Sequence, residues 1–148
     1  MDYSQNLNKI LDIAIKEDAS DLIISANHPP VIRVTGKLIT LVKEKKISPA
    51  DSKGLAFALL DESKKNKLLQ EKEVDFSYDY ESKERFRVNA FFQRGNVSLA
   101  LRLISSKIRT IEELNLPPVL HEFTKKNQGL LLVTGASGQG KSTTLAAL

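Results

Sequence analysis

Near the C-terminal end of the chain, Gly135-Ala136-Ser137-Gly138-Gln139-Gly140-Lys141-Ser142 fills every fixed position of the pattern G-x-x-x-x-G-K-[ST]. These residue types at this spacing suit the capture of a polyphosphate. Successive backbone N–H groups can converge on phosphate oxygens only where side chains do not crowd the loop, and Gly135, Gly138 and Gly140 leave that room. A helix opening just after the loop would aim its N-terminal partial positive charge at the same anion. Lys141 would meet the β- and γ-phosphates as a point charge, the Ser142 hydroxyl would ligate Mg²⁺, and Thr143 follows in the same binding set. The bland alternative is a glycine turn between a strand and a helix with Lys141 merely solvated. Against it, a chance match somewhere in the chain has odds of roughly 0.5% when glycine is near 7% of residues. The expected ligand is ATP with Mg²⁺.

A second group of residues could act on the same kind of anion. Two apolar-alternating segments flank Gln93-Arg94-Gly95-Asn96. If they form a hairpin symmetric about Arg94-Gly95, Phe92 faces Val97, Ala90 faces Leu99, Val88 faces Leu101 and Phe86 faces Leu103, all on one apolar side. On the other side Arg87 then lands opposite Arg102. Like charges in directly facing positions are unfavourable by a few tenths to about 1 kcal/mol, and a shared anion would turn that conflict into a site. The plain alternative is two solvated cations balanced by acids such as Glu84 or Asp75.

The elements that must position these residues can be read coarsely. Ser4 is a candidate cap for a helix carrying the stripe Leu7, Ile10, Leu11 and Ala14. Residues 22–25, 31–34 and 38–42 read as short strands, the last two turned at Gly36-Lys37. Ser48-Pro49 is a cap followed by proline at the first helical position, opening a helix with Leu55, Leu59 and Leu60. Residues 61–69 read as another helix, followed by strands near 74–80, 85–92 and 97–104. Residues 1–104 thus form an expected α+β domain, a sheet covered by helices on one face. Residues 105–110 serve as a linker. Thr110 and Glu113 make a T-x-x-E capping box, Leu116-Pro117-Pro118 ends that turn, and a helix with Val119, Leu120 and Phe123 follows. Residues 130–134, LLLVT, are a continuous apolar run that suits a strand buried on both faces of a parallel sheet, opening a second domain over 111–148.

Composition removes several function classes. Among 148 residues 41% are hydrophobic and 27% charged, an ordinary globular balance that argues against disorder. The net charge of +4 neither demands nor excludes an anionic partner. With no cysteine, disulfide frameworks and thiolate zinc sites are excluded. The apolar runs are a handful of residues, far short of the roughly 20 that cross a bilayer, and the N-terminus MDYSQNLNKI, with an acidic residue at position 2 and no apolar signal core, gives no expectation of export. A cytoplasmic location with no transmembrane segment is expected. His28 and His121 are too far apart to suggest a metal pair and read as a turn residue and a helix-face residue. Phe86, Phe91, Phe92, Phe76, Tyr78 and Tyr80 read as strand packing rather than as stacking platforms, and the lysine-rich segments 43–46 and 64–67 as solvated surface.

Taken together, ASDLIISANHPPVIRVTGKL, VDFSY, RFRVNAFFQRGNVSLALRLI, IEELNLPPVL and GLLLVTGASGQGKSTTLAAL resemble, in order, the type IV pilus and type II secretion ATPases. The resemblance covers the chain from about Ala19 onward and is most like the retraction ATPases of twitching motility. It implies a PAS-like N-terminal domain, a short linker and the beginning of a RecA-like α/β P-loop ATPase domain. It further implies a homo-hexamer, peripheral to the inner membrane, that works against an inner-membrane pilus assembly platform protein and binds no nucleic acid. N-terminal-domain arginines of the family approach the γ-phosphate; Arg87 in RFRVN and Arg102 in LRLI match them and join Lys141 as the catalytic candidates, with Arg94 a further one.

Departures from the family pattern are specific. Ile23 stands where a histidine is frequent, and GASGQGKS replaces GPTGSGKS while keeping the glycines, lysine and hydroxyl. The family's acidic box, Walker B segment and histidine box would lie beyond Leu148, so residues 1–148 alone are expected not to hydrolyse ATP. The alternatives are a pilus-extension or type II secretion ATPase, a non-catalytic interaction module, or a nucleic-acid motor on a RecA-like core. The first of these usually carries a further N-terminal domain, which favours retraction.

Overall fold

In the computed structural model, residues 2–81, 84–104, 108–136 and 139–148 are described. The chain divides into two compact units, Met1–Ile104 and Ser105–Leu148. Of the expected linker, residues 105–107 lie outside the described residues.

The first unit opens with α1 (Tyr3–Lys16), which buries Leu7, Ile10, Leu11 and Ala14. Its cap is Asp2 and not Ser4. The Asp2 carboxylate accepts from the amides of Ser4 at 3.0 Å and Gln5 at 3.2 Å, and a negative group there also meets the positive end of the helix. Three short strands follow, β1 (Asp21–Ile24), β2 (Val31–Val34) and β3 (Lys37–Thr40). The β2–β3 turn centres on Thr35-Gly36, one residue earlier than the sequence suggests, and β3 stops at Thr40. Ser48 and Asp51 exchange side-chain and backbone bonds as a capping box for α2 (Pro49–Leu59), with Pro49 in the first turn. Leu60 lies outside α2 in extended conformation but remains buried. Asp61 caps α3 (Glu62–Glu71), and Lys72 in the left-handed region leads out of it.

Three long strands complete the sheet: β4 (Glu73–Tyr80), β5 (Glu84–Gln93) and β6 (Asn96–Ile104). All neighbours are antiparallel, in the order β3-β2-β1-β6-β5-β4. The β5–β6 turn places Arg94 at φ 50° and Gly95 at φ 77°. Two consecutive positive φ values are the pattern of the two-residue turn whose twist matches the strands, and glycine takes its second position without strain.

One face of the sheet is the core. Phe86, Val88 and Ala90 of β5 and Val97, Leu99 and Leu101 of β6 pack with Leu22 and Ile24 of β1 under Leu7, Leu11, Leu55 and Ala56. Phe76, Tyr78 and Phe92 pack against this cluster, and Tyr80 is buried in it with its hydroxyl donating to Asp12 at 2.8 Å. Phe91, one residue out of phase, lies on the opposite face, where it pairs with Ser98 and Glu73. Two small residues of α2 let it come close. A Cβ on Gly54 would lie 2.5 Å from the Tyr3 ring, and the buried Ser52 hydroxyl donates to the Val97 carbonyl of β6.

The second unit is built differently. Thr110 and Glu113 form their capping box, with the Thr110 amide donating to Glu113 Oε2 at 3.1 Å and the Glu113 amide to Thr110 Oγ1 at 3.2 Å. That single helical turn closes at Asn115, φ 52°. Then come α4 (Leu120–Thr124) and α5 (Lys141–Ala147). His121 Nε2 lies 2.6 Å from Glu112 Oε1. Hydrogen bonds from the Glu112 amide itself, His121 and Thr110 hold the Glu112 carboxyl down at about 2. Residues 130–134 form no strand, contrary to the sequence expectation, and Leu130 and Leu132 are 84% and 73% exposed. A doubly buried strand needs ladder partners on its edges and cover on both faces. Among the described residues of this unit nothing supplies them. No helix among the described residues is long and apolar enough to cross a membrane.

Candidate functional site

The sequence-derived site residues fall into two groups, one in each unit. In the second unit, Gly140 immediately precedes α5 at φ 82°, a left-handed conformation that glycine adopts freely, and no side chain caps the helix. The Gln139 amide reaches back to the Ala136 carbonyl at 3.4 Å, and Lys141 Nζ donates to the same carbonyl at 2.7 Å. Gly135, Ala136, Gln139, Gly140 and Lys141 are thus gathered in one loop turning into α5, with Ser142 and Thr143 in its first turn. Ser137 and Gly138 lie outside the described residues. This loop fits a phosphate chain in two respects: its glycines present backbone rather than side chains, and its lysine is held against the loop itself. Were a nucleotide bound here, the Ser142 hydroxyl would be a hard-oxygen donor suited to Mg²⁺, which would neutralise phosphate charge. Among the described residues no cluster of His, Cys, Asp or Glu could hold a metal by itself.

In the first unit the hairpin register matches the sequence expectation residue for residue. Phe92 pairs with Val97, Val88 with Leu101, and Arg87 with Arg102. Alternation puts the two arginines on the sheet face turned away from the helices, where both are exposed. They line a hollow of about 180 Å³ with Asp21, Asp75, Asn89 and Ala100. Arg94, in the turn of the same hairpin, lines a separate hollow of about 360 Å³ with His28 and Gln93.

The acids around the pair differ from those suggested by sequence. Arg102 Nε binds Asp21 Oδ1 at 2.9 Å, and Arg33 Nε lies 3.2 Å from Asp21 Oδ2. Neither Glu84 nor Asp75 pairs with either arginine, and Arg87 has no ion-pair partner among the described residues. Burial of Asp21 works to raise its pKa, but the Ser20 hydroxyl, Arg102 and Arg33 outweigh it and hold the carboxyl below the ordinary aspartate value. Asp21 and Arg33 were the residues missed by sequence reasoning. Strand alternation does turn Asp21 away from the core, because Leu22 and Ile24 point into it. What stayed hidden was that β1 lies beside β6, a long-range pairing of Asp21 with Arg102.

A glycine-rich loop that fills G-x-x-x-x-G-K-[ST] and an arginine-bearing antiparallel sheet thus stand in one chain. The family model for Type II/IV secretion system proteins matches residues 3–148, and the chain belongs to that family. It is 37% identical over 146 residues to the type IV pilus retraction ATPase PilT of Pseudomonas aeruginosa, covering 97% of this chain and 41% of that protein. To the type IV pilus ATPase PilU of the same organism it is 35% identical over 140 residues, covering 95% of this chain and 36% of the relative. Among solved structures, the pilus retraction motor PilT with bound ADP superposes with a TM-score of 0.74 at 38% identity, covering 95% of this chain and 41% of that one. The Legionella pneumophila ATPase DotB gives 0.80 at 28% identity, covering 95% and 40%. The chain spans about two-fifths of the length of these relatives.

Proposed function

We propose that the whole protein to which this chain belongs is an ATP-hydrolysing motor for type IV pilus retraction. In this reading it works as a homo-hexamer on the cytoplasmic side of the inner membrane, against the pilus platform protein. ATP with Mg²⁺ sits on residues 135–143, and Arg87 and Arg102 bring positive charge to the γ-phosphate. The observation that carries the reading is the Arg87–Arg102 cross-strand pair, in a chain that also holds a complete phosphate loop. Two arginines facing each other across strands repel, and an anion that joins them removes that cost. Arginine placed on developing phosphoryl charge can supply about 10³–10⁵ in rate. Within this scheme the PAS-like lobe carries the arginines and the RecA-like lobe carries the nucleotide. Residues 1–148 by themselves lack an identified group to orient the attacking water and are expected to bind nucleotide without turnover.

The test is ATPase activity of the complete polypeptide. Lys141→Ala should abolish turnover and weaken ATP binding, and Arg87→Ala or Arg102→Ala should each lower kcat by about 10²-fold or more with a smaller change in KM. Unchanged turnover in all three variants would remove the reading. A secretion motor is the second reading, favoured by the match to the family model for Type II/IV secretion system proteins. Restoration of twitching in a retraction-deficient strain separates the two.

A further inference from the structure

Four charged residues stand in one row across four adjacent strands: Arg33 on β2, Asp21 on β1, Arg102 on β6 and Arg87 on β5. Asp21 is the single anion of the row, and its side chain is only 17% exposed where that of Arg102 is 71% exposed. Its two oxygens are divided. Oδ1 takes the Arg102 Nε–H at 2.9 Å, while Oδ2 takes the Ser20 hydroxyl at 2.8 Å and faces Arg33 Nε at 3.2 Å. The carboxylate is therefore braced from the far side and cannot swing away without breaking two contacts.

The consequence for Arg102 is directional. A guanidinium has five N–H donors in a rigid plane. Asp21 engages the one on Nε, which fixes the plane and leaves the four donors of the terminal nitrogens for an incoming group. Arg87, directly opposite, has no such brace among the described residues. One arginine of the pair is oriented in advance and the other is not.

We propose that Asp21 is a positioning residue, which holds Arg102 so that its terminal nitrogens meet phosphoryl oxygens, with Arg33 and Ser20 keeping the Asp21 carboxylate in place. The inference rests on the proposed phosphate role of Arg102. A simple counter-charge makes the opposite prediction. As mere charge, Asp21 repels an incoming phosphate, and its removal should strengthen the attraction. As a positioning residue, its removal leaves Arg102 mobile and slows the reaction.

Two measurements decide it. In residues 1–148, nitrogen-15 spectra of the arginine side chains should show the Arg102 Nε–H exchanging with water at least about tenfold more slowly than that of Arg87. Asp21→Ala should erase the difference, and Asp21→Asn, which keeps an acceptor of the same shape, should leave part of it. In the complete polypeptide Asp21→Ala should lower kcat about tenfold with KM for ATP within about twofold, and Asp21→Asn should fall between it and the parent. Should Asp21→Ala not fold, the Asn variant with unchanged amide dispersion carries both readouts. Equal exchange at Arg102 and Arg87 in the parent chain, or full kcat without Asp21 while Arg102→Ala is impaired, overturns the positioning role alone. Full kcat in Arg102→Ala overturns the phosphate role and this inference with it, a result that the exchange rates cannot imitate.

Discussion

The two units solve the problem of apolar side chains in opposite ways. In residues 1–104, long strands present alternate residues to a single face, and α1, α2 and α3 cover that face, so Leu11, Leu99 and Leu101 lose all contact with water. In residues 105–148, the apolar run of Leu130, Leu131 and Leu132 has neither ladder partners nor cover among the described residues of its unit, and two of the three leucines stay largely exposed. Read as letters, LLLVT is more continuously apolar than β5, yet it is the exposed one. What separates them is pairing: β5 and β6 find each other through a two-residue turn, while residues 130–134 have no ladder partner among the described residues of their unit. The lesson for function is that a local hairpin sets Arg87 opposite Arg102, whereas the glycine-rich residues 135–141 follow a segment that has no ladder partners among the described residues.

The sharpest way to break this contrast is amide hydrogen exchange on residues 1–148. Amides of β5 and β6 should exchange only by global unfolding, and those of residues 129–136 at close to unfolded rates, a difference of about 10³-fold or more. Comparable protection in both would mean that the apolar run is covered in solution. Side-chain truncation gives the next largest difference. Leu99→Ala should destabilise the first unit by about 3 kcal/mol, as expected for a fully buried leucine, while Leu132→Ala should stay within about 0.5 kcal/mol in urea unfolding.

Packing of α2 offers a smaller and more specific effect. Gly54→Ala adds a methyl group 2.5 Å from the Tyr3 ring, so the few tenths to about 1 kcal/mol gained in helix propensity should be outweighed. A net loss of about 1–2 kcal/mol is expected, measured as a lower urea midpoint. A gain in stability would show that the Tyr3 ring moves aside without cost.

How much of this was legible beforehand follows the same division. Features set by neighbours in sequence could be read directly: the capping boxes at Ser48 and Thr110, the glycine turn at Gly95, and from it the Arg87–Arg102 register. The cap of α1 slipped from Ser4 to Asp2 because two good acceptors stand two residues apart and the anion also satisfies the helix dipole. Features set by distant strands could not be read. Nothing local tells Asp21 that it will lie beside Arg102, and nothing local tells residues 130–134 whether partners exist. The phosphate loop was legible as a motif because its chemistry is written in consecutive residues, independent of the strand that should precede it.

Acidity supplies the smallest test and bears on the first unit alone. Asp21 has its pKa held below the unfolded value of about 3.9, so its contribution to stability is complete above that pH and is lost as pH falls through the lower folded-state value. Replacing it by Asn removes the titration without removing the shape. The parent chain and Asp21→Asn should therefore differ in urea midpoint at pH 7 and converge as pH falls through the folded-state value of Asp21. For a partly exposed ion pair the gap at pH 7 should be about 1 kcal/mol or less. A gap that persists undiminished once acid has protonated the Asp21 carboxyl would mean that the Asn amide fails to fit between Arg33 and Arg102, and that Asp21 holds the row by geometry more than by charge.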